Sequence, residues 1–150
     1  MIDPALHNYF MPAEWERQEA VWLSWPLNPV TWPDRKPQAE RAIAAFAAAI
    51  SRCEEVRINC VAAEQARVGE LLVKADAVMA RVRFYDHPTN DAWCRDHGPI
   101  FVKHRETGEV MITDWAFNAW GAKFPAWDLD NAIPARVAEV RRHLVERLHQ

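Results

Sequence analysis

The 150-residue chain is short of cysteine, has no large excess of either charge and contains no long apolar run, and each shortage removes a class of function. Its net charge is −3, with a pI near 6.1, and both signs are mixed within a charged fraction of 26%. A basic footprint for nucleic acid or an anionic membrane is therefore missing. Cys53, Cys60 and Cys94 are odd in number and form no CxxC pair, which argues against a disulfide framework and a structural zinc site and leaves reduced thiols. No uninterrupted apolar segment approaches membrane-spanning length, and Met1 to His7 has no basic stretch leading into an apolar run. A soluble, cytoplasmic protein is expected. Low-complexity tracts and sequence-level repeats are also lacking.

Half of the residues are apolar, enough for one domain of this length to bury a core. Tryptophan is the unusual component, with eight copies at positions 15, 22, 25, 32, 93, 115, 120 and 127. Such rings can fill a core, but Trp22, Trp25 and Trp32 lie in a Pro-rich segment, and Trp115 and Trp120 flank Asn118. Binding residues concentrate in loops, so the rings around Trp25, Trp32 and Trp120 are also candidates to line a cleft.

Hydrophobic periodicity orders the chain. Ala20 to Trp25 reads as an apolar strand ending at Pro26, and the four prolines at 26, 29, 33 and 37 make the next stretch a loop. Ile43, Phe46, Ala47 and Ile50 fall at helical spacing and predict a helix from Gln38 to Arg52. Val56, Ile58 and Cys60 alternate with Arg57 and Asn59 as a half-buried strand. A second helix over Ala63 to Lys74 presents Val68, Leu71, Leu72 and Ala75, and Val82 to Tyr85 is the next strand. This β-α-β-α-β succession implies a layered α/β fold. Ile100 to His104 and Val110 to Asp114 form a hairpin around Thr107-Gly108. A last helix starts near Pro134 with Val137, Val140, Leu144 and Leu148 on its buried face, and no stop signal follows it.

The chemistry is concentrated in Asn90-Asp91-Ala92-Trp93-Cys94-Arg95-Asp96-His97-Gly98-Pro99, directly after a predicted strand, where α/β folds build their sites. A guanidinium group is planar, permanently charged and rich in N–H donors, so binding it takes carboxylates in its plane and flat apolar surfaces on its faces. Asp91, Trp93 and Asp96 are residues of those types. The residues alone also allow a structural reading, in which Arg95 neutralises either aspartate.

A resemblance adds to this. Met11-Pro12-Ala13-Glu14-Trp15-Glu16, Trp22-Leu23-Ser24-Trp25-Pro26, the Asn90 to Pro99 block and Asp114-Trp115-Ala116-Phe117-Asn118-Ala119-Trp120-Gly121 occur in an order that resembles the opening half of the agmatine deiminases and the related bacterial peptidylarginine deiminases. The resemblance implies the pentein fold, an α/β-propeller of five ββαβ-type modules around a central channel, of which residues 1–150 would be the first modules within the N-terminal portion of the catalytic domain. It implies hydrolysis of a guanidino group to a ureido group and ammonia, yielding N-carbamoylputrescine from agmatine on a route to polyamines, without metal or organic cofactor. By the same resemblance Asp96 is the catalytic carboxylate that grips the guanidinium and polarises its carbon, and Trp93 packs beside it. Asp91 matches an acid of the motif that either binds substrate or braces the loop.

In that family a cysteine thiolate attacks the guanidinium carbon, a histidine acts as acid and base, and a second acid completes the clamp, all from later in the chain than the blocks matched here. The 150-residue chain is accordingly expected to lack its nucleophile. Cys94, beside Arg95 and His97, is a weaker candidate, because neighbouring side chains of an extended loop point apart. Cys53 and Cys60 flank a core strand and read as inert packing residues. A metal site from His87, Cys94, Asp96, His97 and His104 lacks the spacing of a zinc motif. The competing functions are a peptidylarginine deiminase and a non-catalytic fragment that binds guanidinium compounds or associates with copies of itself or a missing C-terminal portion.

Overall fold

Residues 20–85 alternate strand and helix as their periodicity predicts. The computed structural model describes residues 7–141 and 144–148. These divide into two compact units, one spanning Arg17–Cys94 and one assembled from the segments on either side of it.

In the first unit β2 (Ala20–Ser24), β3 (Glu55–Asn59) and β4 (Val82–Tyr85) form a parallel sheet with β3 in the middle. Leu23 lies opposite Ile58, and Ile58 opposite Phe84. The connections are α1 (Lys36–Ser51), with Pro37 in the first turn where its missing N–H costs nothing, and α2 (Ala62–Lys74). Val56 and Ile58 are fully buried against Ala44 and Ala47 of α1 and Val68 and Leu72 of α2. The small alanine side chains form the buried stripe of α1. Phe46, expected on the buried face, is instead exposed, while Ile43 and Ile50 pack at the edge of the core. Each fully buried Val, Leu or Ile contributes roughly 1.5–3 kcal/mol.

β3 departs from the half-buried strand that its alternation predicts. Arg57 and Asn59 on its polar face are buried as well as Val56 and Ile58, as is usual for the central strand of a parallel sheet. Their polar groups are satisfied locally. Arg57 pairs with Glu55 at 2.7 Å and Glu19 at 3.0 Å and lies over the Trp22 ring, while Asn59 donates to the Ser24 hydroxyl.

A buried carboxylate ties the two helices together. Glu40 accepts from the indole Nε1 of Trp25 at 3.0 Å and from both terminal nitrogens of Arg67, at 2.6 and 3.2 Å. Burial pushes the Glu40 carboxyl up, but the bonds from Arg67 and Trp25, with the charges of Arg67 and Lys36, outweigh it and hold the pKa below the usual glutamate value. The hydrogen bond to Glu40 is the largest cause raising the pKa of the partly exposed Arg67.

In the second unit β5 (Ile100–His104) and β6 (Val110–Trp115) form the expected hairpin, and its turn uses the positive φ of Gly108, +72°. The short β1 (Tyr9–Phe10) pairs antiparallel with β5, and the sheet runs β1-β5-β6 and on to a last strand, Leu144–Leu148. After β6 come the turn α4 (Ala119–Ala122), α5 (Asp128–Asn131) and α6 (Ile133–Arg141). Ile112, Ile133 and Val137 are fully buried here.

The last helix is shorter than its sequence suggests. Its described residues end at Arg141, Val140 is exposed, and Leu144–Leu148 is a strand, β7, parallel to β6 with Met111 opposite Leu144. The spacing of Leu144 and Leu148 suits a helix face, but it is also an even number of residues, as one face of a strand requires. The β6 edge decides between them. Several short elements had no counterpart in the sequence pattern: β1, the 3-10 turn Met79–Arg81, the helical turn α3 (Cys94–His97), and α4 and α5. Among the described residues no helix is long and apolar enough to cross a membrane.

A carboxyl held below its ordinary value stabilises the fold above that value, near 4.5 for glutamate, and the contribution is lost as the pH falls through the lowered pKa. Glu40→Gln is therefore expected to cost about 1–3 kcal/mol at neutral pH and to reduce the loss of stability on acidification. Urea midpoints of both proteins at neutral and acidic pH check this, and parallel pH curves would contradict it.

Candidate functional site

The motif loop begins where β4 ends. The backbone N–H of His87 turns back to the Tyr85 carbonyl at 2.7 Å, and Asp86 accepts from the Ala62 amide at the start of α2, 2.8 Å away. His87 stacks on Tyr85 and Trp22, with Nδ1 2.9 Å from the Asn59 side-chain oxygen. The foot of the loop is thus fixed to the carboxyl end of the sheet, the edge where α/β folds place ligands.

Beyond it the loop meets the Pro-rich segment that follows β2. The Asn28 amide donates to the Asn90 carbonyl at 3.0 Å, and its oxygen accepts from the Val30 N–H at 2.9 Å. Thr31 donates its hydroxyl to one oxygen of Asp91, and the Ala92 N–H donates to the other at 2.7 Å. The rings of Trp32 and Trp93 lie 5.9 Å apart, tilted by 30°. Trp93 remains 40% exposed.

Asp91 and Trp93 belong to the first unit, whereas Asp96, on α3, belongs to the second and is exposed. Arg95, which the sequence left as a counter-ion for either aspartate, pairs with Glu14. The bond to Glu14 is the largest cause raising its pKa, and Asp96 adds a smaller pull. His97 is buried, edge-on to Phe117 and with Nε2 3.8 Å from Asp130. Trp120 is partly exposed on a stretch where Ala119, Trp120, Gly121 and Ala122 all have positive φ, and the Asn118 side chain accepts from the Gly121 amide. Trp25 is a core residue rather than a channel wall, because it is fully buried and bonded to Glu40.

The cysteines divide by burial. Cys60 is buried and its thiol is pushed up to about 11, mainly by desolvation. Cys53, expected to be a packing residue, is exposed, because it follows the end of α1 and precedes β3. Cys94 is half-buried. Among the described residues no three His, Cys, Asp or Glu side chains converge to hold a metal ion. His104, one of the residues considered for such a site, accepts at Nδ1 from the Glu106 and Thr107 amides.

Sequence reasoning missed Asn28, Thr31 and Glu14. An Asn two residues before a free backbone N–H in a Pro-rich loop is a turn signal, but nothing local shows that the same residue also holds Asn90.

The model of the Porphyromonas-type peptidyl-arginine deiminase family matches residues 10–149. The chain belongs to this family. It is 37% identical to an agmatine deiminase of Stutzerimonas stutzeri over 91% of its own length and 37% of that protein's. An agmatine deiminase structure of Enterococcus faecalis superposes with a TM-score of 0.84 at 31% identity, covering 97% of this chain and 39% of that one. A C. jejuni agmatine deiminase with substrate bound gives a TM-score of 0.74 at 26% identity, over 94% of this chain and 40% of the other. The fold of this family member is therefore α/β and part of a pentein, and the chain spans little more than a third of the relatives it matches.

For this deiminase-family chain, burial predicts thiol reactivity. Cys53 should alkylate in the folded protein at mildly alkaline pH, whereas Cys60 should react only after unfolding in urea. Peptide mass mapping after iodoacetamide treatment reads both sites, and equal labelling of Cys60 and Cys53 in the folded chain would contradict the assignment.

Proposed function

We propose that the chain is the N-terminal portion of a guanidino hydrolase acting on agmatine, to which it contributes Asp96 as the carboxylate for the guanidinium and Trp93 as the flat surface beside it. The observation that carries the reading is the match of the deiminase family model to residues 10–149, a span that includes Trp93 and Asp96. A carboxylate accepts paired N–H donors in the guanidinium plane, and an indole face supports its apolar surface. Holding charge at the terminal nitrogens leaves the central carbon electron-poor. A thiolate supplied from outside the chain would add there, ammonia would leave, and water would release the ureido product, so that guanidinium and water become N-carbamoylputrescine and ammonium. No cofactor is needed for this sequence of steps. A cytoplasmic setting goes with this reading, since the free thiols suit a reducing compartment.

Peptidyl-arginine is the second substrate reading, favoured by the family model's own description. Agmatine ranks first because the sequence relative at 37% identity is an agmatine deiminase. Asp91, with donors already on both oxygens, suits bracing the loop better than gripping the substrate.

The 150-residue chain is expected to bind agmatine without releasing ammonia. Asp96→Asn should weaken binding at least about tenfold, since its amide cannot pair with a cation, while Cys94→Ser should bind normally. Calorimetric titration and an ammonia assay test this together. Ammonia release abolished by Cys94→Ser would make Cys94 the nucleophile, and unchanged binding by Asp96→Asn would remove the central assignment.

A further inference from the structure

β2 and β4 run parallel with β3 between them, so their carboxyl ends sit at one edge of the sheet, roughly 10 Å apart across two strand spacings. The chain leaving β3 turns at once into α2 and fills none of that edge with a long loop. The segment after β2 instead crosses to the segment after β4. It is joined there by a side chain to backbone bond (Asn28 to Asn90), a side chain to side chain bond (Thr31 to Asp91) and a ring contact (Trp32 to Trp93).

We propose that the loop from Asn28 to Trp32 is a strap that positions Trp93, with Thr31 as its principal positioning residue. Thr31 and the Ala92 N–H occupy different oxygens of Asp91, so the carboxylate plane is fixed and with it the backbone leading into Trp93. Asn28 is itself locked by its bond from the Val30 amide, so its hold on the Asn90 carbonyl comes from a preset side chain. Trp32 backs the exposed Trp93 ring. Among the described residues no hydrogen-bond partner reaches the buried Nε1–H of Trp32, and the contact the ring makes with Trp93 is through its face. An exposed aromatic side chain would otherwise sample several rotamers and lose that freedom on binding, so a preset ring binds a planar cation more tightly. Asp91 on this account acts through the loop. The proposal rests on the reading of Trp93 as the surface beside the guanidinium.

The test uses the chain labelled with 15N at its tryptophan indoles, with the thermal midpoint of each variant recorded and agmatine as the ligand. Thr31→Val is expected to shift and broaden the Trp93 indole resonance and to weaken agmatine binding about tenfold, with the chain still folded and its thermal midpoint lowered only modestly. Thr31→Ser, which keeps the hydroxyl, should restore both, and Trp32→Phe should preserve both because a flat face remains. An unmoved Trp93 resonance in Thr31→Val would overturn the strap, as would an affinity loss that Thr31→Ser fails to restore. Failure of the wild-type chain to bind agmatine would end the guanidinium reading, while the Trp93 resonance would still decide the strap.

Discussion

The parallel pairing of β3 with β2 on one side and β4 on the other is the constraint from which the rest of the first unit follows. A central strand is covered on both faces, so Val56 and Ile58 need an apolar layer and Arg57 and Asn59 need partners. The alanine stripe of α1 and the Val68 and Leu72 positions of α2 supply the first. Glu19, Glu55, Ser24 and His87 supply the second. The same pairing sets the three strands in one direction and brings two long exits to one edge.

Buried polar groups are costly unless satisfied, and the unit treats its carboxylates in two ways. Glu40 is enclosed with a guanidinium and an indole N–H, and so joins α1, α2 and the end of β2. Asp91 is only partly enclosed, yet it is engaged by a hydroxyl and its neighbour's amide. Asp96 differs from both, being exposed on a short turn beside an arginine that is itself held by Glu14. The proposed roles, structural for the first two and ligand-facing for the third, follow this division.

Much of the fold was legible because its period was unambiguous. β2, α1, α2, β4 and the β5–β6 hairpin lie within a residue or two of their expected bounds, since apolar residues recur there at two or at three to four residues and prolines or Gly108 interrupt the pattern. Phe46 shows the limit of that logic, because hydrophobicity does not reveal which stripe of an alanine-rich helix will meet a sheet. Leu144 and Leu148 show another, because a spacing of four suits both structures and only the open edge of β6 selects the strand. Both faces of β3 are buried although its alternation suggests one.

For the candidate site, the residue types of Asn90 to Pro99 made Asp91, Trp93 and Asp96 candidates, because a planar cation restricts what can bind it, and the four blocks in their order pointed to the family whose model matches residues 10–149. Their circumstances were not readable. Thr31 and Asp91 are sixty residues apart, and Arg95 and Glu14 eighty-one, so no local pattern couples them. Trp25 and Trp32 lie in one proline-rich segment and were both candidates to line a cleft, yet Trp25 is a core donor to Glu40 while Trp32 packs on the exposed ring of Trp93. Sequence by itself determined the elements and the chemical inventory, since both depend on near neighbours and residue type. Tertiary structure alone decided which carboxylate is engaged, which ring is exposed and whether residues 144–148 extend a helix or a sheet, because those outcomes depend on partners that folding brings from distant positions.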